Sequence, residues 1–299
     1  MAATRGLDRG RTDRADVDTA FRQDLARWIE VQQQAGLDFL SDGLLRWQDI
    51  FRPLSEGLAA RPHTLVRWFD TNTFFREPEV DASIPRLVRP EATLPDQSVP
   101  SPRVGTLPSP FMFSRAAHTR GNRNDLMVEL ATSLLRPAAE AAIAAGAQLI
   151  HLEEPWLGFH GIEPEAWKPL ARALELLHRD LRATLAFHVY FGDASEYIDA
   201  LRDLPVDAIG IDLVETDVAR LGSRWDKGLV AGVLNGRSSL LESVDGTVQV
   251  VRQLADTVAP NNLYISSNCE LAYLPTGVAE RKVQRLGEAT RKLKELVSV

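Results

Sequence analysis

Three side chains of different chemistry close apolar runs in the second half of the chain: His188 in AFHVY, Asp212 in AIGID and Cys269 in LYISSNC. Imidazole, carboxylate and thiolate are all zinc-competent, and three protein ligands leave a fourth position for a substrate. A thiol on such an ion is deprotonated outright, so the set could deliver a thiolate nucleophile at neutral pH. Each residue also has a plainer reading. Cys269 could be a small buried hydrophobe, His188 a satisfied core histidine, and Asp212 the cap of a following helix.

Carboxylates and cations recur at other run ends. Glu153 and Glu154 follow AQLIHL and precede Pro155. Neighbouring strand residues point to opposite faces, so only one of the two can face a barrel axis. That one could bind a cationic amine or serve as a general acid or base, the alternative being a surface carboxylate in a loop. Ser41-Asp42-Gly43 follows LDFL, and Asn235-Gly236-Arg237 follows VAGVL with Glu242 five residues beyond Arg237. Arg237 could fork onto a substrate carboxylate or brace Glu242. The segment RWFDTNTFFREP, containing Asn72, could line a pocket or pack as core.

The elements that must position these residues are short apolar runs separated by amphipathic stretches. The runs are 37–40, 65–69, 104–107, 147–152, 183–190, 208–214, 229–234 and 262–267, with helix-length stretches between most of them. Alternation of this kind signals a parallel α/β fold. Eight runs predict a (β/α)8 TIM-type barrel, whose function sits at the C-terminal strand ends. Residues 70–103, rich in proline and turn formers, read as an irregular excursion; alternatively LVRWF (65–69) is not a barrel strand. A doubly wound open sheet is the competing architecture, but no G-x-G-x-x-G follows any run. The expected organisation is a flexible segment 1–15 and a single barrel domain over 16–299.

Composition narrows the class. The 299 residues carry 34 Lys and Arg against 41 Asp and Glu, a formal charge of −7. Nucleic-acid affinity needs clustered cations, so no nucleic-acid partner is expected. No run approaches the length of a membrane span, and the N-terminus lacks the apolar core of a secretory signal. With its single cysteine the chain has no internal disulfide and fits a reducing cytoplasm.

Taken together, GLDFLSDGLLRWQD, RWFDTNTFFREP, TLPSPFMF, LIHLEEPWL, LAFHVYFGD, AIGIDLVETD, GLVAGVLNGRSSLLES and NLYISSNCELAYLP run over about residues 36–297. In this order they resemble the C-terminal catalytic barrel of cobalamin-independent methionine synthase, and more so its short single-barrel archaeal and bacterial relatives. The resemblance implies a methionine synthase/uroporphyrinogen decarboxylase-type (β/α)8 barrel and a zinc-dependent S-methyltransferase, in which zinc activates the thiol of homocysteine or a related small molecule. For the short relatives it implies a methylated corrinoid, methylcobalamin or a corrinoid protein, as methyl donor in place of folate. The family's His-x-Cys … Glu … Cys zinc pattern falls on His188, Tyr190, Asp212 and Cys269, so a phenol stands where one thiolate would be. Glu153 matches the acidic residue that contacts the acceptor's amino group. The family's second amine-binding carboxylate falls on Leu44, which suits an acceptor without an ammonium. Its catalytic histidine falls on Arg237, and the short relatives' Arg-plus-Glu pattern falls on Arg237 and Glu242, with Asn235 in place of an aspartate. The implied site is thus His188, Asp212 and Cys269 for metal, Arg237 and Glu242 for catalysis, and Asp42, Asn72, Glu153, Tyr190 and Asn235 for substrate. Two other functions fit the same residues: another metal-dependent thiol alkyl transfer, or a non-catalytic ligand-binding barrel that has lost its metal.

Overall fold

The computed structural model describes residues 6, 7, 9–58, 62–80, 87 and 89–297; part of the 1–15 segment expected to be flexible lies outside them. Its centre is a six-stranded parallel sheet in sequential order: β3 (Arg103–Pro108), β4 (Ala147–Glu154), β5 (Thr184–Val189), β6 (Ala208–Asp212), β7 (Gly228–Leu234) and β8 (Leu263–Ser267). A separate antiparallel hairpin precedes it, built from β1 (Pro62–Arg67) and β2 (Phe74–Pro78). LVRWF is therefore a hairpin strand and no part of the barrel wall, and the excursion begins at 62.

Side-chain alternation curls the sheet into a TIM-type barrel with helices outside. Leu149, Ala186, Ala208 and Val230 form one buried cluster with Phe39, Val104 and Tyr264 packed against it. Leu185, Phe187, Val189, Ile209, Ile211, Leu229 and Ala231, the intervening residues, belong to the large cluster beneath the helices. A strand buried on both faces reads as a continuous apolar run, which is why these six were legible. Phe39 meets Tyr264 edge-on, with ring centroids 6.2 Å apart, bringing the first and last segments of the barrel together.

LDFL, expected as the first strand, contributes only the single bridge Leu40↔Arg103. Its backbone is satisfied in another way. The buried side-chain amide of Gln32, on the helix Arg14–Ala35, accepts from Ser41 N at 2.9 Å and donates to Ser41 O at 2.9 Å. A glutamine amide copies the donor–acceptor pair of a neighbouring strand, so no ladder is needed there. The helix itself starts at a capping box on Asp13 and stops at Gly36, whose φ of 72° is the left-handed conformation favoured at helix ends. Its C-terminal end packs on the last helix, Thr276–Val297, where Gly287 lets the Ala35 carbonyl approach.

The barrel's middle layer is thin on purpose. Gly210 pairs with His188 across β5 and β6, and a methyl group at residue 210 would sit 2.4 Å from the His188 ring. The absent side chain is the space the imidazole occupies. Gly210→Ala is expected to destabilise the fold by about 1–3 kcal/mol through overpacking, measured by urea unfolding. An unchanged midpoint would mean the ring can move aside.

Candidate active site

The alternation that builds the barrel also points His151 and Glu153 of β4, His188 of β5, and Tyr190 just beyond it into the barrel. Adjacent Glu154 points outward, as parity requires. Buried Glu154 accepts the Ser109 hydroxyl, Met112 N at 3.1 Å and Leu157 N at 2.7 Å, so it anchors the starts of two helices, Pro110–Ala116 and Pro155–His160. Burial pushes its pKa up to about 7 despite those donors.

At the mouth, Tyr190 is buried and its hydroxyl lies between two carboxyl groups, 3.2 Å from Glu153 Oε2 and 3.0 Å from Glu270 Oε1. Burial first, and then each carboxyl's effect on the other, holds Glu153 well above the ordinary carboxylate range. Glu270 is raised by the same burial, while nearby hydroxyls of Tyr273 and Tyr190 pull it back. Two carboxyls in one dry site cannot both ionise at low cost, which raises both above the ordinary carboxylate range. Tyr273 in turn accepts from Trp68 Nε1 at 2.8 Å. Deeper in the barrel, His151 Nε2 meets His188 Nδ1 at 3.0 Å, and desolvation pushes His151 down to about 4 and His188 well below its usual value.

The hairpin tip closes over this array. Trp68 reaches Tyr273, Phe69 packs against Phe191 and Trp156 at 5.4 and 6.0 Å, and Asp70 pairs with Arg237. Arg237 also lies over the Phe191 ring at 5.0 Å. Phe69 and Phe191 have φ of 49° and 71°, uncommon for residues with a side chain. Such strain persists where surrounding contacts over-determine the backbone. Next to the mouth, an open groove of about 660 Å³ runs past Trp156, Arg115 and Arg123.

Of the residues read from sequence, Glu153, Tyr190, His188 and Arg237 come together at this mouth, and Cys269 adjoins them beside Gly236 and Glu270. Others are occupied elsewhere. Glu242 does not brace Arg237: it accepts from Asn235 N at 2.8 Å and holds the fully buried Lys282 ammonium at 2.7 and 2.8 Å. Arg237 pairs instead with Asp70 of the hairpin tip, a partner invisible to local sequence. Asn235 uses its side chain on Arg237 N at 2.8 Å, a local turn. Both Asp42 oxygens are taken by backbone amides, Leu44 at 2.9 Å and Asp96 at 3.0 Å. Asn72 is exposed on the hairpin turn and accepts from Arg67 at 3.1 Å. Sequence reasoning passed over Glu270, Tyr273, His151 and Trp68. Glu270 was within reach, since it follows Cys269 at a strand end.

The three residues expected to hold zinc do not fit it as they stand. Asp212 accepts from Phe191 N at 3.2 Å, Val214 N at 3.0 Å, Glu215 N at 3.3 Å and the Asn268 amide at 3.0 Å, leaving no oxygen for an ion. Burial and the neighbouring carboxylates Glu270 and Asp212 push the metal-free Cys269 thiol up, so a bound cation would be needed to make it a thiolate. His188 Nε2 alone is buried and unpartnered. Among the described residues, the sole group of three or more His, Cys, Asp or Glu with ligand atoms within 4.8 Å of one another is His63, Glu77 and His118, well separated in sequence from this set.

Comparison with known proteins now adds the lineage. Residues 51–259 match the family model described as cobalamin-independent synthase, N-terminal domain. The chain belongs to that family. A Mycobacterium tuberculosis relative named 5-methyltetrahydropteroyltriglutamate-homocysteine methyltransferase is 30% identical, covering 91% of this chain and 40% of the relative. This cobalamin-independent synthase homologue thus spans about two fifths of the length of such curated relatives. A methionine synthase of Sulfurisphaera tokodaii is 23% identical over 96% of this chain and 86% of its own length. A B12-independent methionine synthase from Shewanella sp. W3-18-1, solved with selenomethionine, superposes with a TM-score of 0.75 at 20% identity, covering 97% of this chain and 92% of that one; it shows the same fold. Although the family model that matches is that of the N-terminal domain, not the C-terminal barrel, and the parallel sheet has six strands among the described residues, the cobalamin-independent synthase family and a TIM-type barrel are borne out. The corrinoid donor is not. The family is cobalamin-independent, and relatives such as the Mycobacterium tuberculosis one are named for a methyltetrahydropteroyl donor, which contradicts methylcobalamin and a corrinoid partner protein. No helix among the described residues is long and apolar enough to cross a membrane.

Proposed function

We propose that this chain is a thiol S-methyltransferase that takes a methyl group from a 5-methyltetrahydropteroyl donor and passes it to a small thiol of the homocysteine type at the barrel mouth. The observation that carries the reading is the Tyr190 hydroxyl held between the buried carboxyls of Glu153 and Glu270 in a chain of this family. In the transfer, the acceptor's S–H bond and the donor's N–CH3 bond break, and S–CH3 and N–H bonds form. The net demand on the protein is to carry one proton from sulfur to nitrogen. A carboxyl whose pKa is raised by burial is suited to that task, since it can both take and return a proton. The hairpin tip and Phe191 exclude water from the sulfur, and the groove beside Trp156 leaves the donor room. Zinc on His188, Asp212 and Cys269 is not used in these steps, because Asp212 is already saturated with donors. Zinc retained by the purified chain is accordingly expected to be unchanged in Cys269→Ser.

The test is turnover: methylated product from homocysteine and related thiols with a 5-methyltetrahydropteroyl-triglutamate donor. Wild-type protein is expected to form the thioether, and Glu153→Gln to lower kcat by about 10²-fold or more, the usual worth of a positioned acid–base group. No thioether with any thiol overturns the reading. The seal of Tyr190 and the hairpin over the pocket favours a second reading, a barrel that binds such a thiol without turning it over; calorimetric binding of homocysteine without product would select it.

A further inference from the structure

Away from the barrel mouth, three chain segments converge on the open end of the hairpin. His63 comes from β1, Glu77 from β2 and His118 from the turn after the helix Pro110–Ala116. One ligand atom from each lies within 4.8 Å of the other two. We propose that His63, Glu77 and His118 form a site for a divalent first-row transition metal that clips the base of the hairpin to the barrel.

The backbone is arranged to bring these groups together. β1 and β2 pair Pro62 with Pro78 and Leu65 with Arg76, so His63 and Thr64 face the single residue Glu77. Two residues against one is a β-bulge, a device that re-aims a side chain. Here it sets His63 Nδ1 3.1 Å from Glu77 Oε2. The third segment is tied in by the backbone: His118 N donates to Pro78 O at 2.8 Å and Val80 N to His118 O at 3.0 Å. The imidazoles of His63 and His118 stack face to face, centroids 3.9 Å apart and 9° from parallel. Imidazole lone pairs lie in the ring plane, so one of these two exposed rings swings out of the stack when both reach a single ion. Two imidazoles and one carboxylate are a ligand set that suits zinc and its neighbours, and three protein ligands leave a position open. The exposure of His63 and His118 gives an ion free access.

What the clip would hold is specified by the same hairpin. Its tip carries Trp68, bonded to Tyr273, and Asp70, paired with Arg237. An ion at the open end fixes the register of both strands and thereby the reach of the tip over the mouth.

The experiment is a zinc titration of metal-free full-length protein against a chromogenic chelator, with His63→Gln and His118→Gln in parallel and Cys269→Ser as control. Wild type and Cys269→Ser are expected to show one saturable site per chain. Each histidine variant is expected to bind at least about tenfold more weakly, the least that even an outer-shell change costs. Hydrogen exchange across residues 62–78 should slow on zinc addition in wild type and not in His118→Gln. Equal isotherms for wild type and both histidine variants, or no saturable site in wild type, would overturn the site; binding without slowed exchange would overturn the clip. Both substituted residues are exposed, and melting curves without zinc confirm that the variants are folded.

Discussion

Replacing Glu242 with alanine is expected to destabilise the protein by roughly 3 kcal/mol, the cost of leaving a buried charge without its partner. The partner is Lys282, whose side chain is fully buried and whose ammonium is held by both Glu242 oxygens and by Leu240 O at 2.6 Å. This contact joins the loop after β7 to the last helix, Thr276–Val297, and through Asn235 N it fixes the turn that presents Arg237. Glu242 keeps some exposure, 22%, which places the estimate at the low end for a buried pair. Lys282→Met should cost less, since Glu242 can then turn to water and the methionine fills the space. Glu242→Gln keeps the shape and one acceptor, and should fall between the two. Denaturant unfolding of the three variants orders them. If Glu242→Ala retained wild-type stability while turnover fell, the residue would be catalytic after all.

The Glu242 result shows where sequence stops being legible. Barrel strands announce themselves because burial on both faces leaves a local signature, and residues at their C-terminal ends follow from topology. Parity showed that only one of Glu153 and Glu154 could face the axis, the family resemblance picked Glu153, and Tyr190 was singled out because it replaces a thiolate. The partner of an ionisable group carries no such local mark. Lys282 lies 40 residues beyond Glu242, and Asp70 lies 167 residues before Arg237. LVRWF looked like a wall strand because Val66, Trp68 and Phe69 are apolar and packed against the core, as wall residues are, although Leu65 is exposed. Glu270 stands with Cys269 at a run end but had no role to read from sequence for a related reason: only the fold brings it to the hydroxyl of Tyr190. Asp212 has the right residue type in the right place for an ion, and the loop that follows β6 spends its oxygens on backbone amides.

Stability should peak in mildly acidic solution and fall as pH rises toward 8, and Glu154→Gln should remove much of the fall. The folded protein raises Glu154 from its ordinary 4.5 to about 7. A carboxyl raised on folding contributes fully below its unfolded pKa and loses that contribution as pH climbs through the folded one. At about 1.4 kcal/mol per pH unit, the loss between pH 4.5 and 7 is roughly 3 kcal/mol. Glu153 and Glu270 are raised too and act in the same direction. The histidines oppose them. His151 is lowered from 6.5 to about 4, so its contribution is complete above 6.5 and is lost as pH falls toward 4. His188 is lowered as well and shares that sign. The opposing slopes cancel in part between about 4.5 and 6.5; above that range the histidines are silent and only the carboxyls continue to cost. Glu154→Gln keeps one acceptor oxygen and so loses either the bond from Leu157 N or those from Ser109 and Met112, and it should be less stable than wild type at pH 5. The readout is the difference between pH 5 and pH 8, which should shrink by roughly 3 kcal/mol in the variant. Parallel pH profiles for the two proteins would show that Glu154 stays ionised in the fold, its helix-capping donors outweighing its burial.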